Sequence, residues 1–437
     1  MKYLLLLLIL PLGVFGQHNI TGKFSPAKDY TYAFLYKSTP SGSNYINRSK
    51  INSDGSFNIA LDSTAAKGIY KIIYATPPEE NNFDLIYSGL EDVKLEFSLE
   101  NGLKFIESNE NKLWISYTKS MELINLTISN FYAQGSTNEK AYLDIFKTLK
   151  ETQDAFEGAA YGTIAINFIK ANAPYIPKSF EDVSTYSKHL KSNYLKHIDF
   201  GNPILQSSDF LMERVITYIF AMPPNADDAT YISHIDDLVD YIGFNNPKIK
   251  KSLLTMIWEN MTILEEPAVA NYVSETYLLE LAESTNDTDL MSALTKYKKN
   301  SVGEKAHNFE ISYSDNERTV NTNLLDLNTA DNYLLIFWSS TCGHCLEELP
   351  KIKSYLKNNS SIQVIAIGLE ESIDSWQNET LNYPNFIHVL AMGKWNSPIA
   401  DAYDVNGTPS FILLNKEKTI IDKPKDFDTL ILSLDKL

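Results

Sequence analysis

Apolar and polar positions change their period twice along the chain. From about Asn19 to Ile106 they fall in short runs. Tyr30-Thr31-Tyr32-Ala33-Phe34-Leu35-Tyr36 is rich in aromatic and β-forming residues. Asn52-Ser53-Asp54-Gly55 then marks a hairpin turn into Phe57, Ile59 and Leu61. Ile69–Tyr74 makes another strand, stopped by Pro77-Pro78. Val93-Lys94-Leu95-Glu96-Phe97 alternates strictly before Asn101-Gly102 turns the chain into Leu103, Phe105 and Ile106. Strands this short at this spacing predict a small antiparallel β-sandwich over residues 17–108.

From about Leu113 to Tyr297 the period becomes helical. Trp114, Tyr117, Met121, Ile124 and Ile128 recur at i, i+3/i+4, as do Tyr142, Ile145, Phe146 and Leu149. Pro174, Pro177, Pro223-Pro224, Pro247 and Pro267 punctuate successive helices, several of which start near Asp or Asn caps. An all-helical region over 109–300 is predicted, with the aromatic stripes as its core. His234 beside Asp236 and Asp237, with Asp240 one turn on, imitates a metal cluster, but a solvated acidic helix face accounts for it.

Beyond Ser301 strands and helices alternate. Strands are expected at Phe309–Tyr313, Tyr333–Trp338, Ile362–Ile367, Phe386–Leu390, from Ser410, and around Thr419–Ile421. Helices are expected after Cys342 to about Leu356, near Ser372–Leu381, at Ile399–Tyr403 and at Phe427–Leu437. Such alternation, with an antiparallel hairpin at the end, predicts an α/β sandwich over 301–437.

Composition narrows the function classes. The formal net charge of −17, with arginine only at Arg48, Arg214 and Arg318, argues against nucleic-acid binding. Lys2, the apolar run Leu4–Leu10, Pro11 and the small-residue stretch before Gln17 read as an export signal over 1–16. Its apolar core is shorter than the ~20 residues that span a bilayer. No cysteine follows to carry a lipid, so a soluble protein in an exported, oxidising compartment such as the periplasm is expected.

The chemistry is concentrated in Leu334-Leu335-Ile336-Phe337-Trp338-Ser339-Ser340-Thr341-Cys342-Gly343-His344-Cys345. A strand feeding a helix through Cys-x-x-Cys puts the first thiol at the helix N-terminus. Free N–H groups and the helix dipole favour a thiolate there, with pKa values of roughly 3.5–7.5. These are the only cysteines of 437 residues, so no second pair completes a four-sulfur zinc site. The remaining histidines are scattered, and a structural disulfide closing so small a loop would restrict the unfolded chain little. A redox dithiol is the favoured reading, ahead of a structural or inert pair and ahead of a metal site; no cofactor is implied.

Further on, Asp404-Val405-Asn406-Gly407-Thr408-Pro409 leads into the apolar Ser410-Phe411-Ile412-Leu413-Leu414. Together with Phe337-Trp338, Cys342, Cys345, Glu348-Leu349-Pro350 and Ala402-Tyr403, this stretch resembles the TlpA/ResA-like thiol-disulfide oxidoreductases of bacterial envelopes. Gly303-Glu304-Lys305-Ala306 and Phe309 resemble the segment that leads into that fold. The resemblance covers about the last third of the chain. It implies a thioredoxin-like fold, preceded in exported members by a β-rich domain of unknown function. It also implies a cis Pro409 facing the disulfide, Glu348 as an active-site carboxylate, and Trp338, Thr341, Gly343 and Thr408 around the substrate. Three departures stand out: His307 replaces a proline, Thr341 replaces a tryptophan, and Ile336 replaces the buried acid of thioredoxin itself.

The expected mechanism makes Cys342 the nucleophile and Cys345 the resolving thiol. Glu348, one helical turn beyond Cys345, exchanges that thiol's proton; Glu370 and Glu371 are further acid candidates. Protein thiols or disulfides are the expected substrates, together with a redox partner protein. His344 bears on direction, because an imidazolium beside the Cys342 thiolate favours the reduced form. Cys-Gly-His-Cys is also the loop of protein disulfide isomerase, poised about 90 mV above thioredoxin. Two rivals remain. One is an envelope binding or scaffold protein with a vestigial redox site. The other, a thiol peroxidase, would carry a proline seven residues before Cys342, where Leu335 stands.

Overall fold

The computed structural model describes residues 18–223, 226–315, 318–358 and 361–437. The export signal expected over 1–16 lies outside them. The chain divides into two compact units, the first ending at Val269 and the second spanning Ala270–Leu437.

The first unit opens with eight strands: β1 (Asn19–Ser25), β2 (Tyr32–Thr39), β3 (Gly42–Lys50), β4 (Ser56–Ala60), β5 (Gly68–Ile73), β6 (Asn82–Tyr87), β7 (Val93–Ser98) and β8 (Gly102–Glu107). They form two four-stranded sheets, ordered β4-β1-β7-β8 and β3-β2-β5-β6. Pairing is antiparallel apart from β1 with β7. Alternate side chains turn inward from both sheets, and Ile20, Phe24, Leu35, Phe57, Ile72, Leu85 and Leu95 share one core. Gly22 faces Phe57 on one side and Leu95 on the other. A Cβ there would stand 2.4 Å from the Phe57 ring, so the aromatic packs over β1 only because the position is glycine.

The turn at Asn52–Gly55 forms, but it does not close a hairpin. Gly55 N–H donates to the Asn52 carbonyl at 2.9 Å, and the Gly55 carbonyl accepts from Phe24 N–H at 2.9 Å. The turn is thereby fastened to β1. β4 pairs with β1 while β3 pairs with β2, so the chain crosses from one sheet to the other. β3 itself is polar and nearly all exposed, and it shows no apolar alternation from which a strand could be inferred.

Helices follow from Asn109 to Lys299. Ser108 caps the first, Asn109–Ala133, and Asn138 caps the second, Glu139–Ala159, each through its side-chain oxygen. The predicted stripe faces inward, with Tyr117, Met121 and Ile128 buried on one helix and Tyr142, Phe146 and Leu149 on the next. Asn111 stitches the first helix to the sandwich, donating to the Ile86 carbonyl at 2.7 Å and accepting from Ile86 N–H at 2.8 Å. His234 departs from the solvated-face expectation. It is fully buried with Nδ1 3.1 Å from the Tyr218 carbonyl, while Asp237 and Asp240 of the same helix face solvent. No group that could hold a metal occurs among the described residues.

The second unit begins ahead of the expected boundary at residue 300, because the last helices pack with the α/β layers. Lys296 Nζ pairs with Asp401 at 2.9 Å and Asp404 at 3.1 Å, and Asn300 Nδ2 donates to the Ala402 carbonyl at 3.0 Å. Then come β9 (Glu310–Asp315) and β10 (Arg318–Asn323), a two-stranded ribbon. β11 (Asn332–Trp338), β12 (Ile362–Glu370), β13 (Ile387–Met392), β14 (Ser410–Leu414) and β15 (Ile420–Asp422) form a sheet ordered β13-β12-β11-β14-β15. β11–β12 and β12–β13 are parallel, and β14 is antiparallel to both of its neighbours.

β11 is covered on both faces, which explains its unbroken apolar run. Leu334, Ile336 and Trp338 pack with Leu349 and Ile352 of the helix Gly343–Tyr355 and with Leu430 of Phe427–Leu434. Tyr333, Leu335 and Phe337 pack on the other face with Ile365, Ile412 and Tyr403. The fold is therefore multidomain: a mainly antiparallel β-rich region, a helical region and a C-terminal α/β sandwich. Among the described residues no helix is long and apolar enough to cross a membrane.

Candidate active site

β11 delivers the chain to the dithiol. Its last residue, Trp338, is followed by Ser339-Ser340-Thr341, and Cys342 then takes the N-cap position of the helix Gly343–Tyr355. Cys342 Sγ accepts from Cys345 N–H at 3.2 Å, one of the N–H groups that the helix leaves without a carbonyl partner. A thiolate at Cys342 would take the same hydrogen bond and meet the positive end of the helix dipole. The two cysteines are joined in a disulfide with Cα atoms 5.3 Å apart. Cys342 is half-buried and Cys345 fully buried against Leu334, Ile336 and Leu349, so only the first sulfur meets solvent.

The loop before β14 forms the opposite wall. The Thr408–Pro409 peptide is cis, and the Thr408 carbonyl oxygen lies 3.5 Å from Cys342 Sγ. Thr408 and Pro409 are half-buried, while Thr341, Gly343 and His344 are exposed around the first sulfur. A Cβ on Gly343 would meet nothing within 4 Å, so that side of the disulfide is open. The resemblance places Trp338 beside the substrate, and the structure does not. Its side chain is fully buried, with its ring 6.4 Å from that of Tyr383, because alternation along β11 turns it into the core.

Two carboxylates lie behind the dithiol. Glu348 is 5% exposed; its Oε1 pairs with Lys351 Nζ at 3.1 Å, and its Oε2 has no partner among the described residues. It follows Cys345 by one turn on the same helix. Glu370 is 2% exposed and ends β12. Its Oε1 accepts from Ser340 N–H at 2.5 Å and its Oε2 from Ser339 Oγ at 3.3 Å. Ser339 Oγ also lies 3.1 Å from Thr341 Oγ1, and the Ser339 carbonyl accepts from Cys342 N–H at 3.1 Å. Glu370 thus anchors the segment that carries Cys342. Glu371 is exposed and sits 3.7 Å from Lys394, so the structure separates two neighbouring acids that the sequence ranks alike.

The hold exerted through Ser339 and Ser340 was not read from the sequence. A signal for it exists: a charged residue closes a stretch, Ile362–Leu369, that is apolar but for Gln363 and Gly368. In the parallel register Trp338 faces Gly368, which sets Glu370 level with Ser340. Met392, paired with Glu370, and Trp395 beyond it are 48% and 44% exposed at this end of the sheet, and nothing in the local sequence pattern singles them out. At His307, where the resemblance expects a proline, the backbone carbonyl accepts from Tyr403 Oη at 2.6 Å and the ring packs edge-on to that of Tyr403 at 5.2 Å. Ile336 is fully buried in the cluster that holds Cys345, so that face of the thiol is apolar.

Residues 331–420, from the start of β11 to the start of β15, match the sequence profile of a thioredoxin-like family. A thioredoxin-like protein of Haemophilus influenzae is 31% identical over 85 residues, 20% of this chain and 49% of the relative. The chain therefore spans about half the length of the curated relative it matches. A thioredoxin-like protein from Bacteroides caccae aligns over 60% of this chain and 97% of its own, at 19% identity and a TM-score of 0.36. A domain of a possible thiol-disulfide isomerase from Cytophaga hutchinsonii aligns over 31% of this chain and 92% of its own, at 28% identity and a TM-score of 0.27.

Proposed function

We propose that this thioredoxin-like domain is the redox centre of an exported thiol-disulfide oxidoreductase that exchanges disulfides with proteins of the cell envelope. One observation carries the reading: a half-buried sulfur at a helix N-cap is disulfide-bonded to a fully buried one beneath the Thr408 carbonyl. A purely structural bridge needs neither the N-cap nor the asymmetry.

In the reduced protein the Cys342 thiolate attacks a substrate disulfide. The substrate S–S bond breaks, one substrate thiolate leaves, and a mixed disulfide forms on Cys342. Cys345 then passes its proton to the Glu348 carboxylate and attacks Cys342 Sγ. The second substrate thiolate leaves, the substrate has gained two electrons, and the Cys342–Cys345 disulfide is restored. Run backwards, the same steps oxidise a dithiol substrate, Glu348 returning the proton. The unpartnered Oε2 of Glu348 supports its role. Pro409 and Thr408, with Thr341 and Gly343 opposite, flank the sulfur a polypeptide would reach, and exposed Met392 and Trp395 extend that end with apolar surface. The Lys2–Gly16 stretch supports export.

Insulin-disulfide reduction with dithiothreitol tests the activity. Cys342→Ser should abolish it, and Cys345→Ser should accumulate a mixed disulfide with substrate on non-reducing gels. Equal trapping by both variants would remove Cys342 as nucleophile. No activity in the wild-type chain would favour the scaffold reading.

A further inference from the structure

Arg214 stands apart from the other charged groups of the first unit. It lies on the helix Asp209–Ile216 and stacks its guanidinium 3.7 Å from the ring centroid of Tyr194. Nη1 donates to Asn172 Oδ1 at 3.0 Å and Nη2 to the Tyr194 carbonyl at 2.7 Å. Nε is enclosed without a partner. Among the described residues, then, two of the five N–H donors of this fork have a hydrogen-bond acceptor, and a guanidinium keeps its charge at any physiological pH. Among the described residues no carboxylate is paired with it. Lys71 of the same unit, by contrast, is matched by Asp84 at 3.0 Å and by Asp209. A partly buried cation without an anion is costly, and buried charges are ordinarily paired.

Arg214 also lines a cleft of about 250 Å³ between the helices Asn109–Ala133 and Val183–Asn193. Met121, Ile128, Tyr186 and Leu190 give it apolar and aromatic walls, and Ser129 stands exposed at its margin. We propose that this cleft binds a small organic carboxylate, its charged end on the Arg214 fork and its apolar body between those walls. The planar fork matches a carboxylate in two parallel hydrogen bonds. The walls favour a ligand with an apolar body over an inorganic anion, which would leave them without contact. A chain of net charge −17 repels anions as a whole, so uptake here depends on the local guanidinium.

Titration calorimetry of the full chain with benzoate, with acetate and inorganic phosphate compared at equal ionic strength, tests the site. Benzoate should bind saturably at one site, more tightly than acetate and far more tightly than phosphate. Arg214→Met should weaken benzoate at least tenfold, and Arg214→Lys, which keeps the charge but loses the fork, severalfold. Should Arg214→Met fail to fold by circular dichroism, Ser129→Trp blocks the cleft from an exposed position and should abolish binding on its own. Three results would overturn the proposal: no saturable benzoate binding, phosphate binding as tight as benzoate, or benzoate binding unchanged in the folded variants.

Discussion

The seam between the sandwich and the first helices, in the first unit, and the disulfide end of the second unit treat enclosed polar groups in opposite ways. In the first, the buried Glu110 carboxylate accepts the N–H groups of Ile164 and Ala165, both at 2.9 Å, at the start of another helix. Lys71 is held between two aspartates, and Asn111 uses both ends of its amide on Ile86. These groups finish hydrogen bonds that the architecture would otherwise leave open. In the second unit the enclosed groups near the disulfide are under-satisfied. Among the described residues Glu348 Oε2 and Ser340 Oγ lack partners, and Glu370 accepts two hydrogen bonds and pairs with no cation. Polar groups that are fully paired hold a fold together, whereas groups left reactive are a mark of chemistry. Away from that seam the first unit also encloses Arg214 Nε, Glu181 Oε2 and His234 Nε2 without a partner among the described residues; of these, Arg214 lines a cleft, which is why it attracts a functional reading.

The largest expected effect tests the structural side of this contrast. Glu110→Ala leaves two enclosed N–H groups unsatisfied and should cost about 2–4 kcal/mol in urea unfolding. Disulfide exchange should be unchanged. A loss within the error of the titration would show that Glu110 is not structural cement.

Glu370→Ala tests the other side. Freed of its anchor, the Ser339–Thr341 segment should let Cys342 wander and slow exchange about tenfold, or ~1.4 kcal/mol in barrier. Glu370→Gln keeps an oxygen for Ser340 N–H and should recover most of the rate in stopped-flow insulin reduction. If Gln is as slow as Ala, the charge and not the acceptor matters.

His344→Ala should make the Cys342–Cys345 potential more negative by tens of millivolts against a glutathione series, ~30 mV corresponding to about 1.4 kcal/mol. The imidazole is exposed beside the first sulfur, where its protonated form stabilises the thiolate and does little for the uncharged disulfide. An unchanged potential at neutral pH would leave direction to the family resemblance, towards reduction.

The smallest effect should be common to both units. Burial lowers the pKa of His234 in the first unit, and of His307 and His388 in the second, each led by desolvation. Below about pH 6.5 the unfolded chain takes up protons that these folded sites resist. Their contribution to stability is therefore full above that pH and is lost as pH falls through the depressed folded values. Melting temperatures from pH 8 to 5 should fall, and His234→Gln should flatten the fall. A melting temperature that rises towards pH 5 would contradict the sign.

By itself, the sequence determined whatever depends on local order. The two periods, the caps, the Asn101-Gly102 turn, the apolar strand β11 and the strand–dithiol–helix join follow from neighbouring residues, and so does Cys342 at a helix start. The tertiary structure decided what depends on segments distant along the chain. It made the Asn52–Gly55 turn a crossing between sheets, because Phe24 holds Gly55. It turned Trp338 and His234 inward, and gave the last helices to the second unit through Lys296 and Asn300. It chose Glu370 over Glu371 by the register of β11 on β12, since side chains alternate and a one-residue difference reverses which acid faces the dithiol. Arg214 could be counted in the sequence. Its lack of a carboxylate could not, because being unpaired depends on every element packed around the side chain.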